Sequence, residues 1–427
     1  MGFVKGERLS FSYQGQRLEG IVITAGDRLT IKLDSGYNIT VKPGELSHVK
    51  HISVPVKKQA KRHPPKTRTG LPTISILHTG GTIASRVDYT TGAVIAQFTA
   101  EDLLELFPEI LSLANIRSRL VGNMQSEMMR FPHWNILARA VEEEVKAGAT
   151  GVIITHGTDI LHMTSAALAF ALENLQIPVL LVGSQRSSDR PSSDAASNLL
   201  CATAFIAQEH EHFHGVGICM HESIENDACV ILPACRSRKM HTSRRDAFRP
   251  INDAPLARIS YPGLEVERLA DYPTSQGPLV VRPFNEQLKI GLCTLHPHFF
   301  AHELLAYEKF DGLVLALFGI GHAPTMATDE HNSEHEKVLR AIKRLAKRMP
   351  VVGASQTLYG RLNMNVYSPG RQLIAAGVLG QGLDITPETA FVKLAWLLSN
   401  HPADLARLYG QNLRGECSSR STPEGFP

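Results

Sequence analysis

The chain of 427 residues lacks several features, and each absence removes a class of function. Its six cysteines, Cys201, Cys219, Cys229, Cys235, Cys293 and Cys417, form no C-x-x-C pair. Thiols scattered in this way argue against a disulfide scaffold or zinc ribbon and for a reducing compartment. No apolar run reaches the length of a membrane span. The opening residues, MGFVKGERLS, have no apolar centre of the signal-peptide kind, so a cytoplasmic location is expected. Net charge is only +3, so any nucleic-acid contact must be local. There is no G-x-S-x-G elbow and no G-x-x-x-x-G-K-[ST] phosphate loop. What is present, 43% hydrophobic and 20% charged residues, is ordinary for a globular protein, and the length suffices for two or three domains with ample core.

Read in order, the chain changes its periodicity near residue 73. Over residues 1–53, apolar positions such as Phe11, Tyr13, Leu18, Ile21, Ile23, Leu29, Ile31, Leu33, Ile39 and Val41 mostly alternate with polar ones. Turn signals fall at Gln14-Gly15, Gly26-Asp27 and Asp34-Ser35-Gly36. This predicts short antiparallel strands closing a small β-barrel of SH3-like size, an accessory unit. Residues 54–72 form a basic, Pro-containing linker with Lys57, Lys58, Lys61, Arg62, Lys66 and Arg68. It reads as a stiff solvated spacer or as a salt-sensitive strip for RNA phosphates, without stacking aromatics.

From Thr73 onward strands and helices alternate, which predicts an α/β unit with mostly parallel sheets covered on both faces. Strands are expected at 74–77, 152–154, 178–182 and 215–220, and helices at 99–107, 132–146, 163–174 and 195–207. This first domain spans 73–262. Residues 263–287, rich in proline and without periodicity, read as a connection. A second α/β domain spans 288–410, with strands at 289–292, 312–317 and 351–354 and helices at 333–348 and 386–398. The last stretch, 411–427, reads as a polar, frayed tail.

Two turns carry the chemistry. In HTGGTIAS, residues 78–85, an apolar strand stops at two glycines and then Thr82. Glycines there let the backbone turn sharply and approach a ligand closely. In ITHGTD, residues 154–159, a second strand ends in Gly157, Thr158 and Asp159. Parallel strands bring their carboxyl ends to one edge, so both threonines can face one pocket. Thr82 taken alone reads equally well as a helix cap. A hydroxyl is a weak nucleophile without a base, and no histidine base of the serine-hydrolase kind is apparent. The candidate activators are Tyr89 and Lys239, the latter within RSRKMHTSRRDAF at 236–248. A buried Lys239 could pass protons through Thr158 beside Asp159. By itself Lys239 reads as a surface lysine in a basic loop.

Together, HTGGTIAS and ITHGTD resemble the bacterial-type L-asparaginase/glutaminase family. The 186–195 segment, SRVDYTTGAV at 85–94, RSRKMHTSRRDAF and the small β unit ahead of the amidase are similar to the archaeal glutamyl-tRNA(Gln) amidotransferase D subunits (GatD). The resemblance implies that Thr82 is the nucleophile, forming an acyl-enzyme with the side-chain amide of glutamine or asparagine. It implies that Thr158, Asp159 and Lys239 manage protons, that Tyr89 sits on a mobile loop, and that Ser126 and Glu127 hold the amino acid's α-groups. No metal and no cofactor are implied in this chain. Having no phosphate loop, the chain is expected to leave ATP (with Mg) and Glu-tRNA(Gln) mainly to an E-type (GatE-type) partner subunit, around a homodimer core within a heterotetramer. The alternative is a free-standing cytoplasmic L-asparaginase. Two residues depart from the family pattern: Ile160 stands where threonine is usual, and Ser184 where alanine is usual. Both bear on substrate preference.

Other signals are set aside. His210, His212 and His214, and His296, His298 and His302, lack complementary ligands at metal-site spacing and read as exposed histidines. Phe318-Gly319-Ile320-Gly321 lacks the completion of a dinucleotide fingerprint and reads as a turn or a pocket wall. Asp88, beside Tyr89, is expected to shape its loop.

Overall fold

A computed structural model of the chain describes residues 3–4, 6–33, 38–53, 68–81, 85–87, 94–96, 108–186 and 193–421. The chain divides into two units, Met1–Arg68 with Ser85–Ile95, and Thr69–Ala84 with Ala96–Pro427. The helix expected at 99–107 and most of the 54–72 linker lie outside the described residues.

In the first unit, β1 (Arg8–Tyr13), β2 (Gln16–Thr24), β3 (Leu29–Leu33), β4 (Asn38–Val41) and β5 (Ser47–Ser53) form an antiparallel sheet of order β4-β3-β2-β1-β5. Alternation puts Leu9, Phe11, Val22, Leu29, Ile31 and Val41 into one core. Gln14 and Gly15 both take positive φ, 50° and 78°. That conformation matches the twist of a tight hairpin, which is why the Gln-Gly pair is a usable sequence signal.

The second unit opens with β6 (Thr73–His78). Two short strands come next in the chain, β7 (Ser85–Val87) and β8 (Val94–Ala96), and pair with each other. The second unit then continues with α1 (Ile110–Leu113), β9 (Asn115–Leu120), α2 (Phe131–Lys146), β10 (Gly151–Thr155) and α3 (Leu161–Ala171). After these lie β11 (Leu172–Glu173), β12 (Pro178–Val182), α4 (Ala195–Glu209), β13 (Gly215–His221), β14 (Ala228–Pro233), β15 (Ser237–Lys239) and β16 (Phe248–Pro250). The first half of the unit closes with β17 (Ala257–Ser260), β18 (Val266–Arg268) and β19 (Val280–Val281).

The main sheet has eight strands in the order β18-β17-β14-β13-β12-β10-β6-β9. β13, β12, β10, β6 and β9 run parallel, as the βα alternation requires. β14, β17 and β18 extend the sheet antiparallel. Helices α2 and α3 cover one face against Leu77, Val152, Ile154, Val179 and Leu181. Helices α1 and α4 cover the other against Ile74, Ile76, Ile153, Leu180 and Val182. Double coverage is why β10, Gly-Val-Ile-Ile-Thr, is buried at every position.

The 263–287 stretch, read from the sequence as a connection, holds two strands. β18 adds to the main sheet, and β19 pairs with β11, at Leu172↔Val281. Both are short edge strands; β18 has two of its three residues exposed, so they carry no apolar alternation to read.

The remaining half contains β20 (Ile290–Thr294), α5 (Ala301–Leu305), β21 (Gly312–Leu317), α6 (Glu334–Ala346), β22 (Val351–Ser355), α7 (Ser368–Ala375), α8 (Pro387–Asn400) and α9 (Leu405–Tyr409). β20, β21 and β22 form a parallel sheet in that order. Phe318-Gly319-Ile320-Gly321 closes a tight turn after β21, with Phe318 bridging to His322. α8 starts with the Thr386 hydroxyl accepting from Thr389 N–H. It is apolar nearly all round because it lies between α3, through Phe170 and Trp396 at 5.4 Å, and the β20–β22 sheet. All six cysteines are buried free thiols. No helix among the described residues is long and apolar enough to cross a membrane.

The 411–427 tail, expected to be polar and frayed, is tied into the fold as far as residue 421. Lys393 Nζ meets Glu416 Oε1 at 2.6 Å, and both side chains are 0% exposed. Glu416 also accepts the backbone N–H of Leu413 and Arg414. Ser418 donates from its backbone and its hydroxyl to Asp384. The partners lie more than 20 residues away in sequence, so composition alone read the segment as solvated. Breaking such a pair strands a buried charge, so Lys393→Met is expected to lower unfolding free energy by about 3–5 kcal/mol in denaturant titrations. The Lys393→Met/Glu416→Leu double variant is expected to recover most of that loss.

Candidate active site

The parallel strands stand in the spatial order β9-β6-β10-β12-β13. The chain leaves β6 for β9 on one side, then crosses back to β10 on the other. Open α/β sheets bind ligands at such a reversal, outside the carboxyl ends of the strands. Here the crevice lies between the ends of β6 and β10.

Glycines let the loops at this crevice touch. Gly80 and Gly81 have φ of 100° and 80°. A Cβ on Gly81 would lie 2.4 Å from Gly157 N, and one on Gly80 would lie 2.6 Å from Met124 O. A Cβ on Gly157 would lie 2.9 Å from Ser126 Cβ, and one on Gly183 would lie 2.8 Å from Thr158 Cγ2. Hydrogen bonds fix the same contacts. Thr79 donates from its hydroxyl to Thr155 O at 2.8 Å, and Met124 N–H donates to Thr79 O at 3.0 Å. His156 N–H donates to Val182 O at 2.9 Å.

Among the residues singled out from the sequence, the fold brings Thr158, Asp159 and Lys239 together. Lys239 Nζ lies 2.8 Å from Thr158 Oγ1 and 2.8 Å from Asp159 Oδ1. The lysine side chain is 11% exposed and Asp159 is 64% exposed, so the pair spans from the protein interior to its surface. Lys239 arrives on β15, which pairs with β16 at Lys239↔Phe248. Ser126 is buried against Gly157, and its hydroxyl has no hydrogen-bond partner among the described residues. Such an orphan is free for a ligand. Glu127, next in the Ser126–Met128 turn, is exposed and lines a cavity of about 420 Å³. Thr82, Tyr89 and Asp88 lie outside the described residues.

The two departures from the family pattern have different surroundings. The Ser184 hydroxyl is engaged by Asp194 and the Arg186 carbonyl, so it steadies its own loop. Ile160 lines the same cavity as Glu127.

Sequence reasoning passed over three groups here. Asp194 precedes α4 as an N-cap would, a visible signal, yet its carboxylate accepts from the backbone N–H of Gln185 and Arg186 and from Asn198. It thereby holds the loop that follows β12. His156 and His162 gave no signal, because their burial is decided by distant chain. His156 donates from Nδ1 to Gly157 O at 2.6 Å, steadying the turn before Thr158. Burial pushes the His156 ring down to about 4, and Gly157 opposes the shift only in part. Burial likewise lowers His162 to about 4, against the attraction of Glu388. Both rings are neutral near pH 7. No group of His, Cys, Asp or Glu among the described residues is arranged to hold a metal ion.

Two outcomes follow from this packing. Gly81→Ala forces a Cβ into the Gly157 backbone at a left-handed φ, and is expected to cut amide hydrolysis at least about tenfold and to cost about 1–3 kcal/mol of stability. Folded-state values near 4, below the ordinary 6.5, mean that the unfolded chain binds more protons between those limits. Stability is therefore expected to fall as pH drops from about 6.5 toward 4, and His162→Gln to flatten that slope in melts taken across the range.

Comparisons with known proteins place the chain in a family. The Asparaginase, N-terminal family model matches residues 73–271. The Glutaminase/Asparaginase C-terminal domain model matches residues 289–408. The D subunit of glutamyl-tRNA(Gln) amidotransferase from Pyrococcus furiosus is 40% identical over 99% of this chain and 94% of its own. The protein of that name from Archaeoglobus fulgidus is 40% identical over 95% of this chain and 93% of its own. Among solved structures, the thermostable L-asparaginase from Thermococcus kodakarensis superposes with a TM-score of 0.70 at 29% identity, covering 81% of this chain and 99% of its own. The chain belongs to the asparaginase/glutaminase family, within its branch of glutamyl-tRNA(Gln) amidotransferase D subunits.

Proposed function

We propose that this chain is the amide-hydrolysing subunit of a tRNA-dependent amidotransferase, releasing ammonia from glutamine or asparagine. The observation that carries this reading is the Lys239 ammonium at 2.8 Å from both Thr158 Oγ1 and Asp159 Oδ1, in the crevice where Gly81 abuts Gly157. In the sequence Thr82 follows Gly81 as Thr158 follows Gly157, and that parallel, with the family resemblance, supports Thr82 as the nucleophile.

In this mechanism the Thr82 hydroxyl attacks the carbon of the side-chain amide. Its proton is relayed through the Thr158–Lys239 pair to the departing nitrogen, which leaves as ammonia. The acyl ester on Thr82 is then hydrolysed by water to the free carboxylate. Backbone N–H groups at the glycine turns stabilise the oxyanion. The unpartnered Ser126 hydroxyl donates to the α-carboxylate, and the exposed Glu127 accepts the α-ammonium. Tyr89 assists from the segment after Thr82.

No phosphate loop is present in the sequence, so ATP with Mg and activation of Glu-tRNA(Gln) belong to an E-type partner in this reading. A homodimer of this chain within a cytoplasmic heterotetramer is part of the same proposal. A free-standing L-asparaginase is the weaker reading. The asparaginase structure from Thermococcus kodakarensis covers 81% of this chain, whereas the amidotransferase protein from Pyrococcus furiosus covers 99%.

The test is reconstitution. Purified chain with its E-type partner, ATP–Mg, glutamine and Glu-tRNA(Gln) is expected to form Gln-tRNA(Gln). Lys239→Met is expected to lower that rate by about 10²–10⁴-fold, and added ammonium chloride to restore product. Strong amide hydrolysis indifferent to partner and charged tRNA would favour the asparaginase instead.

A further inference from the structure

We infer that Glu388 is a positioning residue for Lys239, acting through Arg238 to set the rotation of β15 and hence where the lysine ammonium meets Thr158. This rests on the acid–base reading of Lys239 given above.

By itself β15 is weakly held. It is three residues long and pairs with the three residues of β16 in a two-stranded sheet. A ribbon of that size does not hold its own orientation. Its side chains alternate between two sides, as a strand's must. Ser237 and Lys239 reach into the first half of the unit: Ser237 donates to Pro233 O at 2.6 Å, and Lys239 binds Thr158 and Asp159. Arg236 and Arg238 reach the other way, to carboxylates of the second half. Arg236 Nη2 lies 2.9 Å from Asp384 Oδ2, with both side chains buried. Arg238 places Nε and Nη2 each 2.8 Å from Glu388 Oε1.

The two anchors differ in what they can do. Arg236 also donates to Asn252 O, and Asp384 is engaged by Ser418, so that end is a fixed point shared with the tail. Arg238 is adjacent to Lys239, and its guanidinium is tied to Glu388. Pulling Arg238 toward α8 and Lys239 toward Thr158 on opposite sides defines the twist of the strand at Lys239. Glu388 stands in the first turn of α8, where the helix amide end favours a carboxylate. Its Oε2 is buried without a hydrogen-bond partner among the described residues, so Arg238 is the main tie of this carboxylate. Glu388 also offsets the positive charge of Arg238, which stands next to the Lys239 ammonium in the chain.

Amide hydrolysis by the chain reconstituted with its E-type partner, ATP–Mg and Glu-tRNA(Gln), followed as ammonia release from glutamine, separates the outcomes. Glu388→Gln is expected to lower kcat tenfold or more while KM stays within twofold, because Ser126 and Glu127 are untouched. The charge-swapped double variant Arg238→Glu/Glu388→Arg is expected to recover most of kcat. Should Glu388→Gln fail to fold, Arg238→Gln carries the same expectation from the other side of the pair. Lys239→Met serves as the reference: full activity in that variant would overturn the acid–base reading itself. An inactive Lys239→Met together with unchanged kcat in Glu388→Gln, or a loss confined to KM, would overturn the positioning role alone.

Discussion

At the crevice between β6 and β10, the backbone of Gly81 lies against the backbone of Gly157 with no room for a side chain on either. Much of the candidate site depends on that contact. It requires φ of 80° at Gly81, which only glycine adopts cheaply, and it requires two adjacent parallel strands to end at the same level. The register of β6 on β10, Ile74 opposite Gly151 through His78 opposite Thr155, provides the second condition. Both threonines singled out from the sequence follow directly from this junction in the chain. A side chain at Gly81 would separate the turns, and one at Gly157 would press on Ser126, before any chemistry was considered.

The charged partners come from elsewhere and are held by different means. Lys239 is delivered by a short ribbon that has little stability of its own. Its orientation draws on ion pairs to Asp384 and Glu388, and Asp384 in turn is gripped by the tail at Ser418. The second α/β half therefore orients Lys239, and through Lys289, Ile290, Phe310 and Phe391 it also lines the cavity that Glu127 and Ile160 share. The buried histidines add rigidity of another kind: neutral rings at His156 and His162 fill space beside the proton-carrying groups while holding no charge near pH 7.

Much of this was legible in the sequence where local chemistry decides structure. Apolar runs such as Val152-Ile153-Ile154 and Pro178–Val182 announced strands buried on both faces, and glycine after each strand announced the turns. From the residues alone the pairing of Thr158 with Lys239 was only a candidate, which the family resemblance strengthened, since 81 residues separate them. What stayed hidden was decided by distant partners. β18 has no alternation because it is a three-residue edge, and the tail looked solvated because Lys393 and Asp384, its buried partners, lie in other elements. His162 sits in an ordinary helical sequence, and nothing nearby shows that Phe248 and Glu388 enclose it.

In the proposed mechanism this chain is a source of ammonia whose chemistry passes through one covalent ester. Mass spectrometry of the chain, acid-quenched during glutamine turnover in the system reconstituted with its E-type partner, ATP–Mg and Glu-tRNA(Gln) and then digested, tests that claim most directly. The predicted result is a glutamyl adduct on the peptide containing Thr82, absent from Thr82→Ala. An adduct on any other residue, or undiminished ammonia release by Thr82→Ala, would contradict it.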